Sequence, residues 1–193
     1  MGALAMIGVM VWGGLKWSGV SAQESEIVNE TLFDFTSQDA VLGWNIVNDG
    51  VMGGVSESAV EWIAEGAGRF SGVVRLENNG GFASLRARFT PLDLSAYEGI
   101  EISLRGDGQR YGMYLSNQRS GVQYDQKFDT VDGEWMTVQL PFSDFYPVYF
   151  GQRIPFVPLN ASSIRGMTFI IEEKQAGAFT LDIARIGVYR RIV

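Results

Sequence analysis

Apolar and polar residues alternate with a period of two through much of the chain beyond residue 57. Ser84 to Phe89 is strictly alternating, and Gly99-Ile100-Glu101-Ile102-Ser103-Leu104-Arg105 repeats the pattern. Ser58–Ile63 and Arg69–Leu76 are strand-like runs with polar interruptions, and shorter runs occupy Met113–Leu115, Val122–Asp125 and Trp135–Leu140. Met167–Ile171 is a continuous apolar run, and Phe179–Ile183 alternates before Ile186 and Tyr189. Period two with β-branched and aromatic residues is the signature of half-buried strands. No segment of helical length holds a 3.6-residue period; one short helical turn is expected within Phe142–Phe150. The pattern predicts an all-β protein of about ten mostly antiparallel strands, arranged as a two-sheet β-sandwich or jelly roll.

The 24 glycines fall largely between these runs. Asn78-Asn79-Gly80-Gly81 separates two of them, and Asn-Gly accepts positive φ at both central positions of a tight turn, so a β-hairpin is expected there. Arg86 and Arg88, two positions apart, share a face; each is expected to be solvated or paired with a carboxylate. Trp44 to Ser58 (WNIVNDGVMGGVSES) reads as a glycine-rich loop folded tightly across one end of the sandwich, with Asn48 and Asp49 bonding exposed backbone donors. Asp49 stands against a phosphate cradle, because a carboxylate repels phosphate and no lysine follows in the required place.

The 193 residues are 46% hydrophobic and 19% charged, enough apolar material for one full core. Residues 2–15 form an apolar run shorter than the about 20 residues needed to cross a bilayer, and Val20-Ser21-Ala22 resembles a small-residue cleavage site. Residues 1–22 are read as a signal peptide, with a retained membrane anchor as the alternative, residues 23–30 as a polar linker and residues 31–193 as a single domain. The domain is then exported or membrane-associated: periplasmic, in a thylakoid lumen or at an organelle membrane face.

The net charge of −7 and the lack of a Lys/Arg run argue against nucleic acid as a partner. There is no Cys and no His. Disulfides, thiolate nucleophiles, His-based triads and His-ligated zinc are therefore excluded, and no metal or cofactor is expected. A carboxylate pair, a lysine or a tyrosine remains for catalysis, so a non-enzymatic role is favoured.

Five motifs follow in order: Trp44 with Asn48-Asp49-Gly50-Val51-Met52-Gly53-Gly54-Val55-Ser56; Asn79-Gly80-Gly81-Phe82-Ala83-Ser84-Leu85-Arg86; Asp93-Leu94-Ser95-Ala96-Tyr97-Glu98-Gly99-Ile100; Arg105-Gly106-Asp107-Gly108-Gln109-Arg110-Tyr111; and Trp135 with Leu140-Pro141-Phe142-Ser143-Asp144-Phe145. Together they resemble the complex I intermediate-associated protein 30 family over about residues 31–189. The resemblance implies a galactose-binding-domain-like sandwich. It also implies an assembly factor or accessory subunit that binds subunits or assembly intermediates of a membrane electron-transfer complex, of the respiratory complex I or photosystem type. Tyr146–Arg153 is more aromatic and less basic than the family's pattern.

The candidate binding residues are Asn48, Asp49, Asn79, Arg86, Arg105, Asp107, Arg110, Tyr149 and Phe150. Arg105 and Asp107 would join Asp49 in one polar cluster if their loops share an end of the sandwich. Phe142–Phe150 is the expected aromatic docking edge. The alternative is a carbohydrate-binding module, with Tyr111, Tyr114, Tyr124, Trp135 and Tyr149 as a stacking platform.

Overall fold

The computed structural model describes residues 26–117 and 121–192. The predicted signal segment and the first linker residues lie outside them. Thirteen strands form two sheets: β1 Glu26–Asp34, β2 Trp44–Asn48, β3 Glu57–Ile63, β4 Ala67–Val74, β5 Ala83–Leu92, β6 Gly99–Arg105, β7 Arg110–Ser116, β8 Val122–Asp129, β9 Trp135–Pro141, β10 Tyr146–Tyr149, β11 Gln152–Arg153, β12 Ile164–Ile171 and β13 Gly177–Ile192. One sheet has the order β3-β4-β13-β6-β9, with β1 also paired to β13; the other runs β11-β10-β8-β7-β12-β5-β2. The strand pairs of both sheets are antiparallel, as the two-sheet reading requires.

The core follows from the alternation. Ile100, Ile102 and Leu104 of β6 face inward, as do Tyr111, Met113 and Leu115 of β7 and Met167, Phe169 and Ile171 of β12. On β13 the inward set changes from Phe179, Leu181 and Ile183 to Ile186 and Val188, because a bulge between Ile183 and Arg185 inserts one residue. Each large side chain removed from water contributes about 1.5–3 kcal/mol, so this one core sustains the domain.

Three expectations change. Residues 26–30 are not linker: they form the start of β1, with Glu26 opposite Ile192. Trp44–Asn48 is not loop but the edge strand β2, paired with β5 and anchored by buried Trp44. The Asn78–Gly81 turn does not close a hairpin. Positive φ falls at Asn78 and Asn79, 57° and 58°, rather than at the Asn79-Gly80 pair, since Gly80 has φ −68°. Yet β4 pairs with β3 and β13 while β5 pairs with β2 and β12, so the turn carries the chain from one sheet to the other. The expected helical turn is a short 3-10 segment, Phe142–Asp144.

The outer face of the six-stranded sheet is laced with paired charges. Buried Asp182 receives Arg69 and Arg105, each at 2.7 Å, and buried Glu101 receives Arg185 at 2.8 Å together with Asn29 and Gln139.

Candidate functional site

The glycine-rich loop is built around Asp49. This carboxylate is fully buried and accepts from the Ser56 amide (3.0 Å), the Ser56 hydroxyl (2.5 Å) and the Gly81 amide (2.7 Å), with the Phe82 amide more distant at 3.4 Å. Burial alone would raise its pKa; the donors from Ser56, Gly81 and Phe82 outweigh it and hold the carboxyl below the usual carboxylate range. The neighbouring glycines make room. A Cβ on Gly54 would stand 2.3 Å from the Asp49 carboxyl carbon, and one on Gly80 would stand 2.5 Å from Asp49 Oδ2. Asp49 therefore ties the loop after β2 to the inter-sheet turn before β5 and presents nothing to a ligand. Asn48 accepts from the Ser58 hydroxyl at 2.7 Å, and Asn79 is an exposed turn residue.

Arg105, Asp107 and Arg110 do not join Asp49. Arg105 pairs with Asp182 and Glu65 and lies over Trp135 at 4.9 Å. Its bond to Asp182 is the main cause that raises its pKa. Asp107 accepts from the Thr180 amide (2.7 Å), the Tyr111 hydroxyl (3.0 Å) and the Gln109 amide (3.1 Å). Arg110 is exposed, 3.6 Å from Asp129. These three brace strand ends, and no ion pair or hydrogen bond among the described residues links them to Asp49.

The remaining candidates lead to the outer face of the seven-stranded sheet. A groove of about 720 Å³ crosses it, lined by Arg86 and Arg88 of β5, Arg165 of β12, Ser116, Thr168 and, at the far end, Phe150. Among the described residues, none of the three arginines has a carboxylate within 4.0 Å; the one side-chain bond is from Arg86 Nε to the Ser84 hydroxyl, 2.9 Å. Burial, aided by the charge of Arg88, lowers the Arg86 pKa. Gly166 sits opposite Arg88 in the β5–β12 ladder, which brings Arg165 beside them.

Phe150 is 86% exposed at the tip of the β10–β11 hairpin, with φ at 47°. Its ring meets Tyr149 edge-on at 4.5 Å. A bulky residue held at positive φ with its ring in water is unfavourable on both counts, and such positions concentrate at functional surfaces. Of the expected docking edge Phe142–Phe150, only this tip presents exposed aromatics; Phe145 and Val148 are buried, and Phe142 and Tyr146 are half-buried.

Beside the groove, Lys127 bonds Glu172 and lies 3.1 Å from Asp125 Oδ1, off the hydrogen-bonding direction. Its ammonium covers the Tyr114 ring at 5.0 Å, while the Tyr114 hydroxyl donates to Glu172 at 2.7 Å. Burial, then the charge of Glu172, drives the Tyr114 pKa upward. Tyr114 is thus unavailable for stacking. Tyr111 and Tyr124 point into the core, and Trp135 lies on the other sheet. The expected sugar platform does not assemble. Among the described residues no group of acidic side chains is placed to hold a metal ion.

The model of the family described as complex I intermediate-associated protein 30 matches residues 33–183. The chain belongs to that family. No curated protein matches the chain in sequence at a significant level. Among solved structures, the fold is similar to the family 11 carbohydrate-binding module of the cellulosomal cellulase Lic26A-Cel5E of Clostridium thermocellum, at 18% identity and TM-score 0.63, over 85% of this chain and 95% of that one. The same module in complex with a β-1,3-1,4-mixed-linked tetrasaccharide aligns at 18% identity and TM-score 0.61, over 83% and 94%. The agarase AgWH50C aligns at 11% identity and TM-score 0.61, over 83% of this chain and 24% of its own. At these identities the likeness is one of fold.

Proposed function

We propose that this member of the complex I intermediate-associated protein 30 family is a non-enzymatic assembly factor or accessory subunit. It works exported or at a membrane face and holds a subunit or assembly intermediate of a membrane electron-transfer complex. The observation that carries the reading, beside family membership, is the asymmetry of the two outer faces. The six-stranded face is charge-compensated. The seven-stranded face carries arginines with no carboxylate partner among the described residues and an exposed phenyl ring at a hairpin tip. An uncompensated polar groove beside an apolar anchor is the composition of a protein interface.

The likeness to a carbohydrate-binding module suggests carbohydrate instead. Sugar stacking needs open aromatic faces, and three of the five platform candidates are buried: Tyr111, Tyr114 and Tyr124. The partner-binding reading is preferred for that reason.

Affinity purification from detergent-solubilised membranes tests it. Subunits of one electron-transfer complex should co-purify with the native chain and be depleted with Phe150→Ser. Recovery of no such subunit, or calorimetric binding of a mixed-linked tetrasaccharide, overturns the reading.

A further inference from the structure

The partner-binding role leaves open what chemistry the groove recognises. Three arginines converge at its β5–β12 end in a chain whose net charge is −7. Elsewhere the described arginines that approach the interior are paired: Arg69 and Arg105 with Asp182, Arg185 with Glu101. The groove is where this pairing stops. Arg86 is half-buried there without a counter-ion, and Arg88 stands two positions along the same strand. A guanidinium is a planar fork that matches a carboxylate with two parallel hydrogen bonds. Unpaired and partly desolvated, it gains more from an incoming anion than a fully solvated surface charge does.

The groove has two unlike ends. From the arginines it passes over Gly166, Thr168 and Ser116 to Gln123 on β8 and the Phe150 ring. Four inter-strand steps separate β5 from β10, whose hairpin carries Phe150, a span of about 19 Å that an extended chain covers in about six residues. A single lipid phosphate would occupy only the cationic end. A neutral glycan would leave the arginines unanswered.

We propose that the arginine end of the groove takes the carboxylates of an extended acidic polypeptide segment, whose apolar residue about six positions along rests on Phe150. The inference rests on the partner-binding reading of this face and supplies its chemistry: a partner subunit is recognised through an acidic stretch followed by an apolar anchor. The hydroxyls of Ser116 and Thr168 lie beneath the segment's backbone.

The probe is a fluorescent peptide with a glutamate cluster, a short serine–glycine spacer and a terminal phenylalanine, compared with its glutamine counterpart by anisotropy. The glutamate peptide is expected to bind saturably and to weaken as salt rises. The glutamine peptide should bind about tenfold or more weakly, and Arg88→Gln or Arg165→Gln should each cost about tenfold, the loss of one charge-assisted contact. Arg88 is exposed, so its replacement leaves folding intact even if Arg86→Gln does not. Phe150→Ser should weaken both peptides alike. Equal binding of the two peptides, no saturable binding, or an arginine-dependent preference for phosphatidylglycerol vesicles or polygalacturonate over the peptide overturns the proposal. If the membrane complex still co-purifies with an Arg88→Gln/Arg165→Gln chain at unchanged yield, this inference alone fails. If nothing co-purifies while the peptide binds, the assembly role fails and the groove chemistry stands.

Discussion

Replacing Asp49 by alanine removes the acceptor that joins the two loops, β2–β3 and β4–β5, that cross between the sheets. The carboxylate takes three short contacts, from the Ser56 amide and hydroxyl and the Gly81 amide, and one longer one from Phe82. Hydrogen bonds to a charged group contribute about 1.5–3 kcal/mol each, and buried donors left without a partner add a penalty. The lower bound for the three short contacts, reduced by relaxation of an exposed loop, gives a loss of about 4 kcal/mol. At about 2–4 °C per kcal/mol for a domain of this size, Tm should fall by about 10 °C. Guanidinium unfolding followed by tryptophan fluorescence measures the loss directly, since Trp44 is buried in the core. The same group carries a pH signature. Its folded pKa lies below the ordinary value of 3.8, so its contribution is present above that value and is lost as pH falls through the folded pKa. Asp49→Asn should be destabilised at neutral pH and should converge on the native protein in strong acid. A loss under about 1 kcal/mol at neutral pH with an unchanged m-value would refute the reasoning, since three buried charge-assisted bonds cannot be that weak.

Other expected outcomes follow the same geometry. Gly54→Ala should cost about 3 kcal/mol in denaturant unfolding, because its Cβ would overlap the Asp49 carboxylate, whereas Gly50→Ala, with nothing within 4 Å, should stay within about 0.5 kcal/mol. Phe150→Gly relieves the positive φ and should raise stability by about 0.5–1 kcal/mol in thermal melts while depleting co-purified subunits; a stability gain without a binding loss would strip the residue of its assigned role. Lys127→Ala leaves Asp125 and Glu172 facing each other without their shared cation, for a loss of about 3 kcal/mol that a further Asp125→Asn change should partly restore.

The strand content was legible wherever one face is dry. Gly99–Arg105 alternates cleanly because its odd positions reach solvent or polar partners while Ile100, Ile102 and Leu104 enter the core. β1 is hard to read because Asn29, Glu30 and Thr31 form an exposed polar run within it and a register shift between Thr31 and Phe33 breaks the period. At Asn78–Gly81 a turn with positive φ was readable, although the positive values fall at Asn78 and Asn79 and not at Gly80. Its destination was not, because which sheet accepts β5 depends on pairing with β12, far along the chain. The same limit applies to the site. Arg86 and Arg88 announce a shared face in the sequence, but Arg165 joins them only through the β5–β12 ladder. Asp49 read as a polar loop residue; the glycines at 54 and 80 were the signal that a buried side chain occupies the space between them.

The central claim is that contact is made on the seven-stranded face. A photo-crosslinking amino acid placed at position 150 and, separately, at Thr137 on the exposed outer side of the six-stranded sheet distinguishes the faces in solubilised membranes. Adducts with a subunit of the electron-transfer complex are expected from position 150 and none from position 137. Adducts from position 137 alone would contradict it.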